Sequence, residues 1–135
     1  RIAMRPGKPL LWGQVDGLPL LGLPGNPVSA MICGLLFLYP AIQALRGTGV
    51  EPLPIRDAFL GADLAANGPR EHYMRATLDS DSPGQLTATP FSSQDSSRMG
   101  ILSAADGLII QAVKQPALAK GKTVSVISFT DIHGF

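Results

Sequence analysis

With 135 residues, 45% apolar and 16% charged, the chain has the make-up of an ordinary globular protein and the length of one domain. Eleven Lys and Arg against ten Asp and Glu leave a net charge of +1, which argues against bulk-charge partners such as nucleic acid or an anionic membrane but allows local cation clusters. The chain opens at Arg1, ahead of the earliest methionine, Met4, with no charged-then-apolar leader, so the expectation is a fragment or processed chain in the reducing cytoplasm.

The first segment, Met4-Arg5-Pro6-Gly7-Lys8-Pro9, sets two cations around a Pro-Gly turn. A guanidinium fork and a mobile ammonium both suit the oxygens of phosphate or another oxyanion, although two solvated surface cations read the same way. Two short strands follow, about Leu10 to Val15 and Leu18 to Leu23, joined by the hairpin-type pair Asp16-Gly17. That hairpin returns the chain, so Lys8 and Asn26 are expected at one end of a sheet.

Next comes Leu23-Pro24-Gly25-Asn26-Pro27-Val28-Ser29, which packs turn, cap and helix start together without an acid. Pro24-Gly25 turns the chain, Asn26 suits the cap, and Pro27 suits the first helical position, where a missing N–H costs nothing. The N–H groups of Val28, Ser29 and Ala30 are then expected to point outward, where the helix dipole favours an anion. A strand-to-helix turn that binds nothing uses the same residues.

The helix is expected to run to about Arg46, kinked at Pro40 and ended by Gly47. Val28, Met31, Ile32, Leu35, Leu36, Phe37, Leu38, Ile42 and Leu45 leave it little polar face, so it needs cover on more than one side. A membrane span is set aside because Ser29, Gly34, Pro40 and Gln43 interrupt the run and no charged anchor flanks its start. Cys33 in this helix reads as a small buried hydrophobe.

Composition shifts at Gly47-Thr48-Gly49-Val50-Glu51-Pro52-Leu53-Pro54, a linker that divides the chain into residues 1–47 and 48–135. Beyond it the period becomes alternating, with β-rich runs at Asp57 to Ala62, His72 to Leu78, Gln85 to Thr89, Gly107 to Val113 and Thr123 to Phe129. Such short strands predict a small barrel that hides its edges by closing, with a helical turn over Met99 to Ala105 plugging one end. The predicted fold class is therefore an α/β fragment, a strand hairpin plus apolar helix from a three-layer domain, followed by an all-β barrel.

Spacing removes several chemistries. Gly121-Lys122-Thr123 resembles the end of a phosphate-binding P-loop, but Pro116 stands where that motif needs glycine. His72 and His133 lack partners at metal-ligand spacing, so no metal site is predicted. No Ser-His-acid set can be drawn from this pattern.

The Arg5 to Pro9 stretch, the strand pair and the Leu23 to Ser29 loop, in that order, resemble the end of the molybdopterin-binding domain of MoeA-type proteins. Tyr73-Met74-Arg75 and Gln94-Asp95-Ser96 resemble two segments of that family's C-terminal β-barrel, with Arg5 and Asp95 departing from the family's usual lysine and glycine. The resemblance covers nearly the whole chain but only the last third or so of a family member.

It implies a transferase that inserts molybdenum from molybdate into adenylylated molybdopterin, releasing AMP. Lys8, Asn26, Arg75 and Ser96 become the implied catalytic residues, and Arg5, Pro24, Gly25, Pro27 and Ser29 bind substrate. Arg75 and Ser96 are implied to reach across a homodimer, with Arg98 adding charge; without the resemblance Arg75 reads as a surface arginine. Mg²⁺ is the implied cofactor, its carboxylates lying upstream of this segment, and a molybdopterin adenylyltransferase is an implied partner. The competing expectation is a non-catalytic dimerisation or scaffold module, and tungstate handling would use the same site.

Overall fold

The computed structural model describes residues 2–82, 84–94, 100 and 103–132. Asp95, Ser96, Arg98, Met99 and His133 lie outside the described residues, as do Ile101 and Leu102 of the expected turn over Met99 to Ala105.

Barrel strands β4 (Ile55–Leu60), β5 (Glu71–Ser82), β6 (Gln85–Pro90), β7 (Gly107–Gln111) and β8 (Thr123–Ser128) form the sheet order β5-β6-β4-β8-β7, and a further β5–β7 pairing closes it. Closure is possible because β5 is long enough to serve two neighbours. Its first half pairs with β7 from His72↔Gln111 to Ala76↔Gly107, and its second half pairs with β6 from Ala76↔Pro90 to Ser82↔Gln85. Gly107 sits at the branch point, where a Cβ would run into the Ile127 carbonyl oxygen.

Alternation sorts the strands into two faces. Ala58, Leu60, Met74, Ala76, Leu78, Ala88, Ile109, Val124 and Val126 point to the barrel interior and form one core. Tyr73, Leu108, Ile110 and Ile127 point outward. That outward face is covered by the helical run, through Val28, Ile32 and Leu35, and by Leu53 of the linker.

The helical run has three parts: α1 (Pro27–Cys33), a π segment (Gly34–Leu38) and α2 (Tyr39–Leu45). The π segment explains how a proline is carried where a kink is predicted. Pro40 offers no N–H, and its ring opposes the carbonyl one α-turn back; the Tyr39 N–H instead reaches the Gly34 carbonyl, which inserts a wider turn just before it.

The hairpin of β2 (Leu11–Val15) and β3 (Leu18–Gly22) turns at Asp16 and Gly17, with φ of 48° and 82°. One strand had no counterpart in the sequence reading. β1 (Met4–Arg5) pairs in parallel with the start of β5, Met4↔Glu71 and Arg5↔His72, so the first segment of the chain is stitched to the barrel across the proposed linker.

Burial around the helical run is one-sided. Val28, Ser29, Ile32, Cys33 and Leu35 are buried, whereas α2 has no buried residue and Ile42 and Leu45 are exposed. By length and composition Pro27–Leu45 is also apolar enough to cross a bilayer, as the core helix of a soluble protein can be.

Candidate functional site

Along the seam between the first segment, the helix start and β5 lies a cavity of about 540 Å³. Arg5, Lys8, Arg70 and Arg75 bring four cations to its lining, joined by Ser29, His72, Tyr73 and Gln94, and no acid lines it among the described residues.

Each side chain is held there by local structure. Arg5 is fixed by the β1–β5 register opposite His72. The turn to Lys8 passes through Gly7 at φ 130°, closed by the Leu10 N–H donating to the Gly7 carbonyl at 2.9 Å. A Cβ on Gly7 would stand 2.9 Å from Cys33 Sγ, so this turn lies tight against the helix.

Arg75 shares the outward barrel face with Tyr73, as alternation predicts, yet it is only 2% exposed. The expectation of a surface arginine misses this burial. The helix and the Arg5 to Pro9 segment roof this part of the barrel, and Arg75 lines the cavity of its own chain.

Gln94 locks the neighbouring loop onto the same arginine. Its Oε1 accepts from the Arg75 N–H and its Nε2 donates to the Arg75 carbonyl, both at 3.0 Å, and Nε2 also donates to the Phe91 carbonyl at 3.0 Å. All polar atoms of the amide are thereby engaged with backbone.

The helix start behaves differently from the expectation. Asn26 does cap it, its Oδ1 accepting from the Ser29 N–H at 3.2 Å and from Ser29 Oγ at 3.4 Å, while the Ala30 N–H donates to the Asn26 carbonyl at 2.8 Å. Two of the three N–H groups expected to face an anion are therefore satisfied within the chain. Pro24, Gly25, Asn26 and Pro27 do not line the cavity; Val28 and Ser29 do.

Electrostatics follow from this crowding. His72 is buried, and its pKa is lowered to about 4, first by desolvation and then by the positive charges of Arg5, Arg70 and Arg75. Tyr73 is pushed well above the usual phenol range by burial and by its hydroxyl donating to Glu71 Oε1 at 2.7 Å. Burial likewise raises the Cys33 thiol, so it is held as an inert buried group.

Sequence reasoning missed Arg70 and His72. Arg70 immediately precedes β5 and His72 is its second residue, and only the pairing of a two-residue strand brings the start of β5 against Arg5.

Residues 57–129 match the family model described as the MoeA C-terminal region (domain IV). The chain belongs to the MoeA family. Over 109 residues it is 33% identical to molybdopterin molybdenumtransferase 2 of Mycobacterium tuberculosis, covering 81% of this chain and 26% of that protein. Gephyrin of Dictyostelium discoideum is 28% identical, with 98% of this chain and 22% of gephyrin covered. The molybdopterin biosynthesis MoeA protein of Pyrococcus horikoshii superposes with a TM-score of 0.76 at 26% identity, over 95% of this chain and 30% of that one. This MoeA-family chain thus spans under a third of the length of these relatives, and both the hairpin–helix segment and the closed barrel fall within the superposed part.

Proposed function

We propose that this chain supplies part of a molybdopterin molybdenumtransferase site, in which the cationic seam holds the oxyanions of molybdate and adenylylated molybdopterin while molybdenum is inserted and AMP is released. One observation carries the reading: four cations converge on one cavity, with no acid lining it among the described residues. Moving oxyanions between ligands asks chiefly for position and charge stabilisation, so fixed cations in the seam do the work and no covalent nucleophile is required. Arg75, buried and with Gln94 clamped to its backbone, is the pre-organised member; Arg5 is fixed by strand pairing. Lys8 contributes a mobile charge on the Gly7 turn, and Ser29 a hydroxyl at the rim.

These residues do not fit Mg²⁺. A hard dication asks for several oxygen ligands, whereas among the described residues the lining has no carboxylate and no cluster of three or more His, Cys, Asp or Glu stands together. In this proposal carboxylates from another segment would hold the ion, and a second subunit together with Ser96 would complete the site.

Two experiments test the proposal. Molybdate binding should fall at least tenfold in Arg75→Ala, with a smaller loss in Lys8→Ala. A chimaera in which this chain replaces the matching segment of the Mycobacterium tuberculosis relative should form molybdenum cofactor and lose that activity with Arg75→Ala. Unchanged binding and unchanged cofactor formation in both variants would overturn it.

A non-catalytic scaffold role is the second reading. Exposed Trp12, Leu38, Ile42 and Leu45 favour it, because they line one apolar surface suited to another protein. That reading predicts no dependence on Arg75.

A further inference from the structure

Among the cavity's cations stands one group of another kind. His72 borders the cavity from the alternate face of β5 to Tyr73 and Arg75, at the end of the barrel interior, where β1 joins. Its imidazole is only 8% exposed, so it has little water to stabilise a charge of its own.

The groups around it come from every neighbouring element. Arg5 stands in register on β1, Lys8 follows on the next turn, Arg70 immediately precedes the strand, and Arg75 lies further along it. On the other side β7 places the uncharged Gln111 opposite, whose Nε2 donates to the Ala65 carbonyl. Glu71, the adjacent acid, accepts the hydroxyl of Tyr73. The helix contributes Ser29 and the 91–94 loop contributes Gln94, neither of which carries charge. The field at His72 is therefore set by arginines, and it is the field that an entering anion would cancel.

We propose that His72 couples anion capture in this cavity to proton uptake: a multiply charged oxyanion drawn among Arg5, Arg70 and Arg75 brings a proton from solvent onto the imidazole. The inference rests on the reading of the cavity as an oxyanion site. With the cavity empty, burial and then the like charges of Arg5, Arg70 and Arg75 keep the imidazole neutral, consistent with its lowered pKa. An anion reverses the sign of the local potential, and the protonated ring then adds one more positive charge to the site. By linkage, anything that makes the ring easier to protonate when the anion is bound makes the anion bind more tightly when the ring is protonated. Among the described lining residues only the imidazole of His72 belongs to a side-chain type that ordinarily changes charge between pH 5 and pH 8, so the coupling is specific to it.

Sulfate is a suitable probe because it keeps both its charges between pH 5 and pH 8. Calorimetry of the chain with sulfate, in buffers of different ionisation enthalpy, should show binding roughly tenfold tighter at pH 5 than at pH 8, with proton uptake approaching one per anion. By NMR, the histidine signal that His72→Gln removes should titrate at higher pH in saturating sulfate than without it. His72→Gln, or His72→Asn if the first folds poorly, should bind sulfate with nearly equal affinity at both pH values. The wild-type proton count needs no variant. Sulfate binding without proton uptake, or a pH dependence that survives both substitutions, overturns the coupling and leaves the oxyanion reading standing. No sulfate binding at either pH overturns the oxyanion reading, and the coupling falls with it.

Discussion

The barrel and the hairpin–helix segment bury their apolar residues in opposite ways. In the barrel, strict alternation sends one set of side chains into a closed interior, where Ala76, Ala88, Ile109 and Val126 are fully buried. In the hairpin–helix segment only the side facing the barrel is buried, while Trp12 is 69% and Leu45 is 72% exposed. A closed sheet needs no other partner, whereas a helix apolar on all sides needs cover on more than one. The cationic cavity forms where the self-sufficient unit meets the half-covered one, and that placement gives a buried arginine a neighbouring opening.

The largest expected effect breaks this comparison at the barrel. Ile109→Ala should cost about 3 kcal/mol of unfolding free energy in urea, because the closed interior has no means to collapse around the missing carbons. A loss under about 1 kcal/mol would mean that the barrel interior is not the stability core.

The next effect is pH dependence, and its sign is fixed by His72. Between pH 6.5 and about 4 the unfolded chain accepts a proton that the native chain refuses, so stability is fully present above pH 6.5 and falls as pH drops through this window. The His72 share should reach at most about 3 kcal/mol, read as the difference between wild type and His72→Gln in urea melts at successive pH values. Equal curves for the two proteins would remove the buried, arginine-ringed histidine from the account.

Gly7→Ala should cost about 2 kcal/mol, since φ of 130° strains any side chain and the new Cβ would meet Cys33 Sγ. Thermal melts would measure this, and molybdate binding should weaken together with the turn that carries Lys8. Asn26→Ala should cost only about 1 kcal/mol, the usual value of a lost helix cap. It should also leave molybdate affinity within about twofold, because Asn26 caps the helix and does not line the cavity. A tenfold loss of affinity there would move the site to the helix start. Smallest of all, Ile42→Ser on the exposed helical face should change stability by less than about 0.5 kcal/mol in urea melts, and a loss above about 1 kcal/mol would mean that this face is covered within the chain.

How much of this was legible in the sequence depends on whether the cause was local. The hairpin was legible because Asp16 and Gly17 accept positive φ and alternating strands flank them. The barrel strands were legible from their period, although β4 begins at Ile55, earlier than expected, and β5 continues to Ser82, past its apolar run. The extension was hidden because Asp79 and Ser80 look like turn residues, while their strand character comes from pairing with β6. The helix start was legible down to the cap. Its hydrogen bonds were not, because side-chain capping and anion binding use the same residues until coordinates separate them.

The cavity itself was half legible. Lys8, Arg5, Ser29 and Arg75 were all singled out, and all four line it. What joins them was invisible: a two-residue parallel strand whose partner lies far along the chain has no periodic signature of its own. The same missing pairing concealed Arg70 and His72, and it made a buried arginine look like a surface one.

Crystals of the chain soaked in molybdate offer the most direct measurement, because molybdenum can be located by its anomalous scattering. The account predicts a peak within the seam, among Arg5, Lys8 and Arg75. A peak at the Asn26 cap with the seam empty would contradict it.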